Sequence, residues 1–148
     1  MKTRKLRLLS ALLAVAMMLA LLPTAAFAAD NIVGSGTCGA TNADNVTWTL
    51  YSDGTLTISG TGAMADYAPN AKNGNVPAYK KDIKKVVIGD EVTTIGKHAF
   101  EDCSQLSTVE LPQNGKLKKI GFNAFGFLTA GSAPIITEIV IPNSVEEI

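Results

Sequence analysis

The hexapeptides IGKHAF, at residues 95–100, and IGFNAF, at residues 120–125, differ only at their two middle positions. Because Ile, Gly, Ala and Phe recur, we predict that they build the interior and a backbone bend of a repeated unit. The only histidine, His98, lies at a changed position, where the second hexapeptide has Asn123. We interpret this position as surface rather than catalytic, since no nucleophile motif places a serine or cysteine beside it.

The segments around the hexapeptides repeat as well. Large aliphatic residues occupy the first, fourth and sixth positions of IKKVVI (83–88), LSTVEL (106–111) and ITEIVI (136–141). This L-x-x-L-x-L spacing predicts one strand per repeat, with the aliphatic side chains facing inward. After each strand comes a turn residue and then a pair of aliphatic residues three positions apart. The pairs are Val92 and Ile95, Leu117 and Ile120, and Val145 and Ile148.

A single repeat buries too little apolar surface to offset its conformational entropy, so we expect stacked repeats with parallel strands. The strand starts define repeats at 83–105, 106–135 and 136–148, and we interpret the last as truncated. The second repeat is longer because of QNGK, at 113–116, and GFLTAGSAPI, at 126–135, which are expected to be surface loops.

The stretch VTTIGKHAFEDCSQLSTVELP, residues 92–112, resembles the BspA-like leucine-rich repeat family, and IVIPNSVEEI, residues 139–148, begins a further copy. GFLTAGSAPI replaces the Cys-containing step of that pattern. The resemblance implies a leucine-rich-repeat solenoid of short parallel strands with irregular or short helical returns. It also implies a secreted or cell-surface bacterial protein, of a family in which some members act as adhesins.

A different pattern precedes the repeats. VTWTLYSDGTLTIS, residues 46–59, places two alternating runs around Ser52, Asp53 and Gly54, which predicts an antiparallel β-hairpin. It is similar to the module found before such repeats in many bacterial surface proteins. We predict that the hairpin caps the first repeat, with Trp48 covering its apolar end. Residues 60–82 are interpreted as a connection with a short helix from Pro77, so that 29–82 form the cap and connection.

The N-terminus has the pattern of a secretory signal peptide. MKTRKLR precedes an apolar run from Leu8 to Leu22, which is short for a membrane span, and the small-residue stretch TAAFAA follows. We predict a signal peptide over 1–28, cleavage between Ala28 and Ala29, and a secreted, extracellular or cell-surface location. Residues 29–148 carry 9 basic and 13 acidic residues, a net charge of −4, which gives no reason to expect nucleic acid as a partner. No second apolar run predicts a membrane span there.

Two kinds of motif could indicate a binding or catalytic site, but we interpret both as structural. GSGTCG, residues 34–39, fits G-x-G-x-x-G but lacks a predicted βαβ unit, so we interpret it as a flexible segment leading into the cap. Adjacent carboxylates at 90–91, 101–102 and 146–147 are interpreted as solvated turns. We therefore expect no catalytic, cofactor-binding or metal site, and a protein that is not an enzyme.

The two cysteines, Cys38 and Cys103, belong to different segments of an exported chain, where a disulfide is chemically permitted. Two separately buried thiols are the default interpretation, because free Cys packs as a small apolar residue. The sequence leaves the pairing open.

The positions that the repeat leaves free are the candidate ligand-binding residues. In a strand the residues between inward-facing positions face outward. The candidates are Lys84, Lys85, Val87, Thr108, Glu110, Thr137, Glu138 and Val140, with Ser107 beside them. We expect a non-enzymatic binding or adhesion module that recognises a protein or surface ligand, with further repeats or domains after Ile148. The alternative is a structural spacer of a longer surface protein whose activity lies elsewhere.

Overall fold

A computed structural model describes residues 31–41, 45–69, 81–126 and 135–148. These residues form strands, turns and irregular segments, and none of them is helical. The strands are β1 (Ile32–Thr37), β2 (Val46–Tyr51), β3 (Thr55–Gly60), β4 (Gly62–Ala63), β5 (Lys85–Ile88), β6 (Val92–Ile95), β7 (Thr108–Glu110) and β8 (Lys119–Ile120). Within this part of the chain, no helix is long and apolar enough to cross a membrane.

The strands form two sheets. The larger sheet has the order β1-β2-β3-β5-β7, in which β1, β2 and β3 pair antiparallel and β3, β5 and β7 pair parallel. The smaller sheet, β4-β6-β8, is parallel, and a bridge between Lys119 and Glu147 extends it. Each full repeat therefore contributes one strand to each sheet.

The inward-facing positions predicted for the first two repeats are confirmed. All ten aliphatic side chains at these positions are buried, and they join one hydrophobic cluster with Leu50, Leu56 and Ile58 from β2 and β3. The ten are Ile83, Val86, Ile88, Val92, Ile95, Leu106, Val109, Leu111, Leu117 and Ile120. These side chains are buried because successive residues of a strand point to opposite faces of the sheet. Along β5, every second residue therefore enters the core.

The two hexapeptides form matching bends packed on each other. Ala99, Phe100 and Ala124 are buried, and the rings of Phe100 and Phe125 stack with centroids 5.3 Å apart. A Cβ placed on Gly121 would lie 2.5 Å from the backbone nitrogen of Lys97. The repeated glycine is therefore explained by a close backbone approach, of the preceding repeat at Gly121 and of Ala65 at Gly96.

The third repeat departs from the prediction. Residues 136–141 form no strand, and the carbonyl of Val140 accepts a hydrogen bond from the side-chain amide of Gln113, at 3.1 Å. Ile141 and Ile148, both predicted to face inward, are exposed. The predicted strand is therefore wrong, because this segment bonds to a side chain instead of to the backbone edge of β7.

The N-terminal part joins the repeat sheets directly. β2 and β3 pair across the turn at 52–54, and β3 then pairs parallel with β5. β4 pairs with β6 in the same way, so residues 60–69 are more than the predicted connection. The interpretation of 34–39 as a flexible segment is wrong as well, since Gly34–Thr37 lie in β1. The signal peptide, the cleavage site at Ala28 and Ala29 and the helix from Pro77 fall outside the described residues.

Candidate functional site

Four of the predicted ligand-facing residues lie together on the outer side of β5 and β7. Lys85 pairs in register with Thr108, and Val87 pairs with Glu110. The Lys85 Nζ lies 2.6 Å from Glu110 Oε1, and both side chains remain well exposed. An ion pair this exposed contributes at most about 1 kcal/mol to stability, so both groups remain available to a ligand. We call Lys85, Val87, Thr108 and Glu110 the repeat face.

The other predicted residues lie around it. Lys84 is exposed directly before β5, while Thr137, Glu138 and Val140 are exposed on the irregular segment 135–141. A cleft of about 470 Å³ separates this segment from β7, and Glu110, Glu138 and Val140 are among its lining residues. The structure thus brings the predicted residues to one side but divides them by a cleft.

The same outer side continues over the three antiparallel strands, where no ligand-facing residue was predicted. The pairing registers of neighbouring strands align Ser35, Thr49 and Thr57 in one row across the sheet, and this row continues to Val87 on β5. A second row consists of Thr37, Thr47 and Ser59. Tyr51 and Thr55 occupy the outward positions nearest the 52–54 turn, by the alternation of β2 and β3. We call these eight residues the hydroxyl face, and the alternating threonines of VTWTLY and TLTISG were the available signal.

A pocket opens at the end of the hydroxyl face. It has a volume of about 300 Å³ and lies beside the 52–54 turn, between the ends of β2 and β5. Five polar or aromatic residues line it: Tyr51, Ser52, Asp82, Lys84 and Gln105. We call it the Tyr51 pocket, and it joins the hydroxyl face to the candidate residue Lys84.

His98 belongs to a buried cluster, contrary to the surface position that we predicted. His98 is 9% exposed and its Nδ1 lies 2.8 Å from Oε1 of Glu101, which is fully buried. The side-chain amide of Asn123 donates to the same carboxylate oxygen from the next repeat. The prediction of a solvated turn is therefore also wrong for Glu101.

Backbone geometry explains why this cluster forms. His98 and Asn123 occupy equivalent positions with φ of 55° and 56°, a left-handed conformation in which Asn and His are enriched. Both side chains therefore turn towards Glu101, which bridges two consecutive repeats. Because the carboxylate is closed off from solvent, its arrangement supports packing of the repeats rather than reaction with a substrate.

Cys38 and Cys103 are both buried and form no disulfide, which confirms the default interpretation. Burial raises the pKa of Cys38 from 9.0 to about 12. Burial also raises the pKa of the neighbouring Tyr67, and the charge of a Cys38 thiolate adds to that effect. Cys38 is therefore a protonated, unreactive thiol at neutral pH. Across the described ranges no group of His, Cys, Asp and Glu side chains has the arrangement needed for a metal ion.

Comparison with known families and structures agrees with the repeats in this fold. Residues 76–148 match the family described as BspA type leucine rich repeat region (6 copies). A crystal structure of a leucine-rich repeat protein from Eubacterium ventriosum ATCC 27560 is similar, with 34% identity and a TM-score of 0.51. That match covers 62% of this chain but only 23% of the Eubacterium chain.

A leucine-rich repeat protein from T. pallidum also matches, with 22% identity and a TM-score of 0.36, over 74% of this chain and 64% of its own. No curated protein matched.

Proposed function

We propose that this chain, whose residues 76–148 are a BspA-type leucine-rich repeat region, is a non-enzymatic binding module that acts at the bacterial surface. The leucine-rich repeat family indicates a protein-interaction module, and such families are generally non-enzymatic. The repeat face carries the proposal, because its exposed Lys85, Thr108 and Glu110 are held in register on a regular sheet. The ligand is a protein or another surface component.

The predicted signal peptide supports export, and family resemblance supports a secreted or cell-surface location. We further propose that residues 29–82 act as the cap and 83–148 as the repeat region. The pairing of β3 with β5 supports this assignment, since β1 and β2 then continue the sheet beyond the first repeat.

Binding can be measured to immobilised extracellular-matrix proteins and to whole bacterial cells. Simultaneous alanine substitution of Lys85, Thr108, Glu110 and Glu138 is expected to weaken binding at least tenfold while leaving the unfolding midpoint nearly unchanged.

The matched control is Lys118→Ala combined with Glu146→Ala. This second pair also has an N–O distance of 2.6 Å and is exposed, but it belongs to the side of the smaller sheet. Undiminished binding by the fourfold variant, or an equal loss in the control, would remove the repeat face as the binding surface.

The second candidate function is a spacer within a longer surface protein. Its support is the exposure of Ile141, at 41%, because the equivalent residues of the first two repeats, Ile88 and Leu111, are buried. A further repeat packed there would cover Ile141 in the same way. A longer version of the chain with added repeats should show reduced exposure of Ile141 in labelling experiments.

A further inference from the structure

The hydroxyl face is uniform in its chemistry. All eight of its residues carry a hydroxyl and none carries a formal charge. Thr55 donates its hydroxyl to Asp53, and no other side-chain hydrogen bond of these eight is found in the part of the chain that the structure describes. The remaining hydroxyls are therefore open to an external partner.

We propose that the hydroxyl face binds a neutral polysaccharide, with one sugar unit held in the Tyr51 pocket. Serine and threonine hydroxyls both donate and accept hydrogen bonds, as sugar hydroxyls do. Neighbouring strands lie about 4.8 Å apart and alternate residues of one strand about 6.7 Å apart, so the hydroxyls form a regular grid. A regular, uncharged grid of donors and acceptors complements a repeating, uncharged polymer.

The Tyr51 pocket supplies what the flat face lacks. The half-buried Tyr51 ring provides an apolar surface with a polar end, suited to the C–H face of a sugar ring. Ser52, Asp82, Lys84 and Gln105 add hydrogen-bonding groups to the pocket lining. At about 300 Å³ the pocket is at the lower end of the range for small-molecule sites. The Tyr51 pocket, with an aromatic ring and surrounding polar groups, can therefore bind one sugar unit of the polysaccharide specifically.

We propose a neutral glycan instead of a charged partner because the charged side chains of the larger sheet lie on other strands than the hydroxyl face. The charges of the larger sheet's outer side are concentrated on β5 and β7, where Lys85 and Glu110 pair with each other. An acidic glycan or a highly charged protein would gain no attraction from the three antiparallel strands. The hydroxyl face is therefore a different surface from the repeat face, and glycan binding there does not depend on the proposed function.

The test uses the purified protein and two sets of probes. Sedimentation with cellulose, chitin and insoluble α-glucan, and gel retardation in soluble β-glucan and xylan, measure neutral binding, with heparin and hyaluronan as charged probes. We expect retention by at least one neutral polymer, with little dependence on salt.

The decisive variant is Thr49→Val with Thr57→Val. Valine keeps the β-branched shape and strand preference of threonine but removes the hydroxyl, so the sheet is expected to remain folded. Binding should fall at least tenfold, and Tyr51→Ala should reduce it to a similar extent. Circular dichroism and the urea midpoint check the fold, and Lys118→Ala with Glu146→Ala, an exposed ion pair on the side of the smaller sheet, serves as the control that keeps glycan binding.

Several outcomes would overturn the proposal. They are retention by none of the neutral polymers, retention by the charged polymers alone, and full binding by the double valine variant. The last result would show that these threonines serve only strand formation.

Discussion

Phe100→Ala should strongly destabilise the repeat region. The Phe100 side chain is fully buried, so the substitution removes its apolar contacts and leaves a cavity, at a cost of about 3–5 kcal/mol. Phe125 has the equivalent position in the next hexapeptide but is only partly buried. Phe125→Ala opens a partly solvated gap instead of a closed cavity and should cost about 1–2 kcal/mol. The same sequence motif thus predicts two different effects, which burial distinguishes.

Equilibrium urea unfolding measures both values. Trp48, the only tryptophan, reports on β2, and far-UV circular dichroism reports on all strands. Coincidence of the two transitions tests two-state behaviour, without which the free energies would not be comparable.

The double variant completes a thermodynamic cycle. The stacked rings, with an interplanar angle of 21°, should show a coupling of about 0.5–1.5 kcal/mol. Equal losses for the two single variants, or a larger loss for Phe125→Ala, would refute the explanation by burial.

Two further predictions concern buried polar groups. Glu101→Ala leaves the side chains of His98 and Asn123 without their carboxylate partner, and it should lower the free energy of unfolding by about 1–3 kcal/mol for each of them. The control Glu91→Ala breaks an exposed ion pair and should lower it by less than about 1 kcal/mol. Equal losses in urea titrations would show that Glu101 has no special role. Burial raises the pKa of Cys38 in the folded protein. The contribution of this thiol to the free energy of unfolding is therefore fully present below pH 9.0 and decreases as the pH rises from there towards 12. Cys38→Ala should reduce that alkaline slope, and an unchanged slope would mean that the thiol ionises alike in both states.

The repeats and the residues that enter their core could be read from the sequence alone. L-x-x-L-x-L spacing identified side chains such as Val86 and Leu106 as inward-facing, because alternation along a strand is a local property of the backbone. The hexapeptide also indicated a glycine that tolerates no side chain, although the obstructing atoms belong to the neighbouring repeat.

The candidate binding residues were predictable only in part. Period-2 alternation showed that Lys85 and Glu110 face outward, but their contact depends on the parallel register between β5 and β7. The prediction treated 136–141 as a third strand on the strength of its aliphatic spacing, yet this segment does not pair with β7. Spacing describes one side of a segment and does not determine whether its backbone meets another strand.

The contacts between distant segments, in contrast, become visible only in the folded protein. His98 was interpreted as a surface residue because its position varies between repeats, but a left-handed backbone turns it onto the buried Glu101. Likewise, the hydroxyl face exists only because β1, β2 and β3 pair in a register that aligns their hydroxyl side chains in rows. Local patterns determine the direction of a side chain relative to its own segment, whereas burial, register and shared surfaces depend on contacts between residues far apart in the sequence.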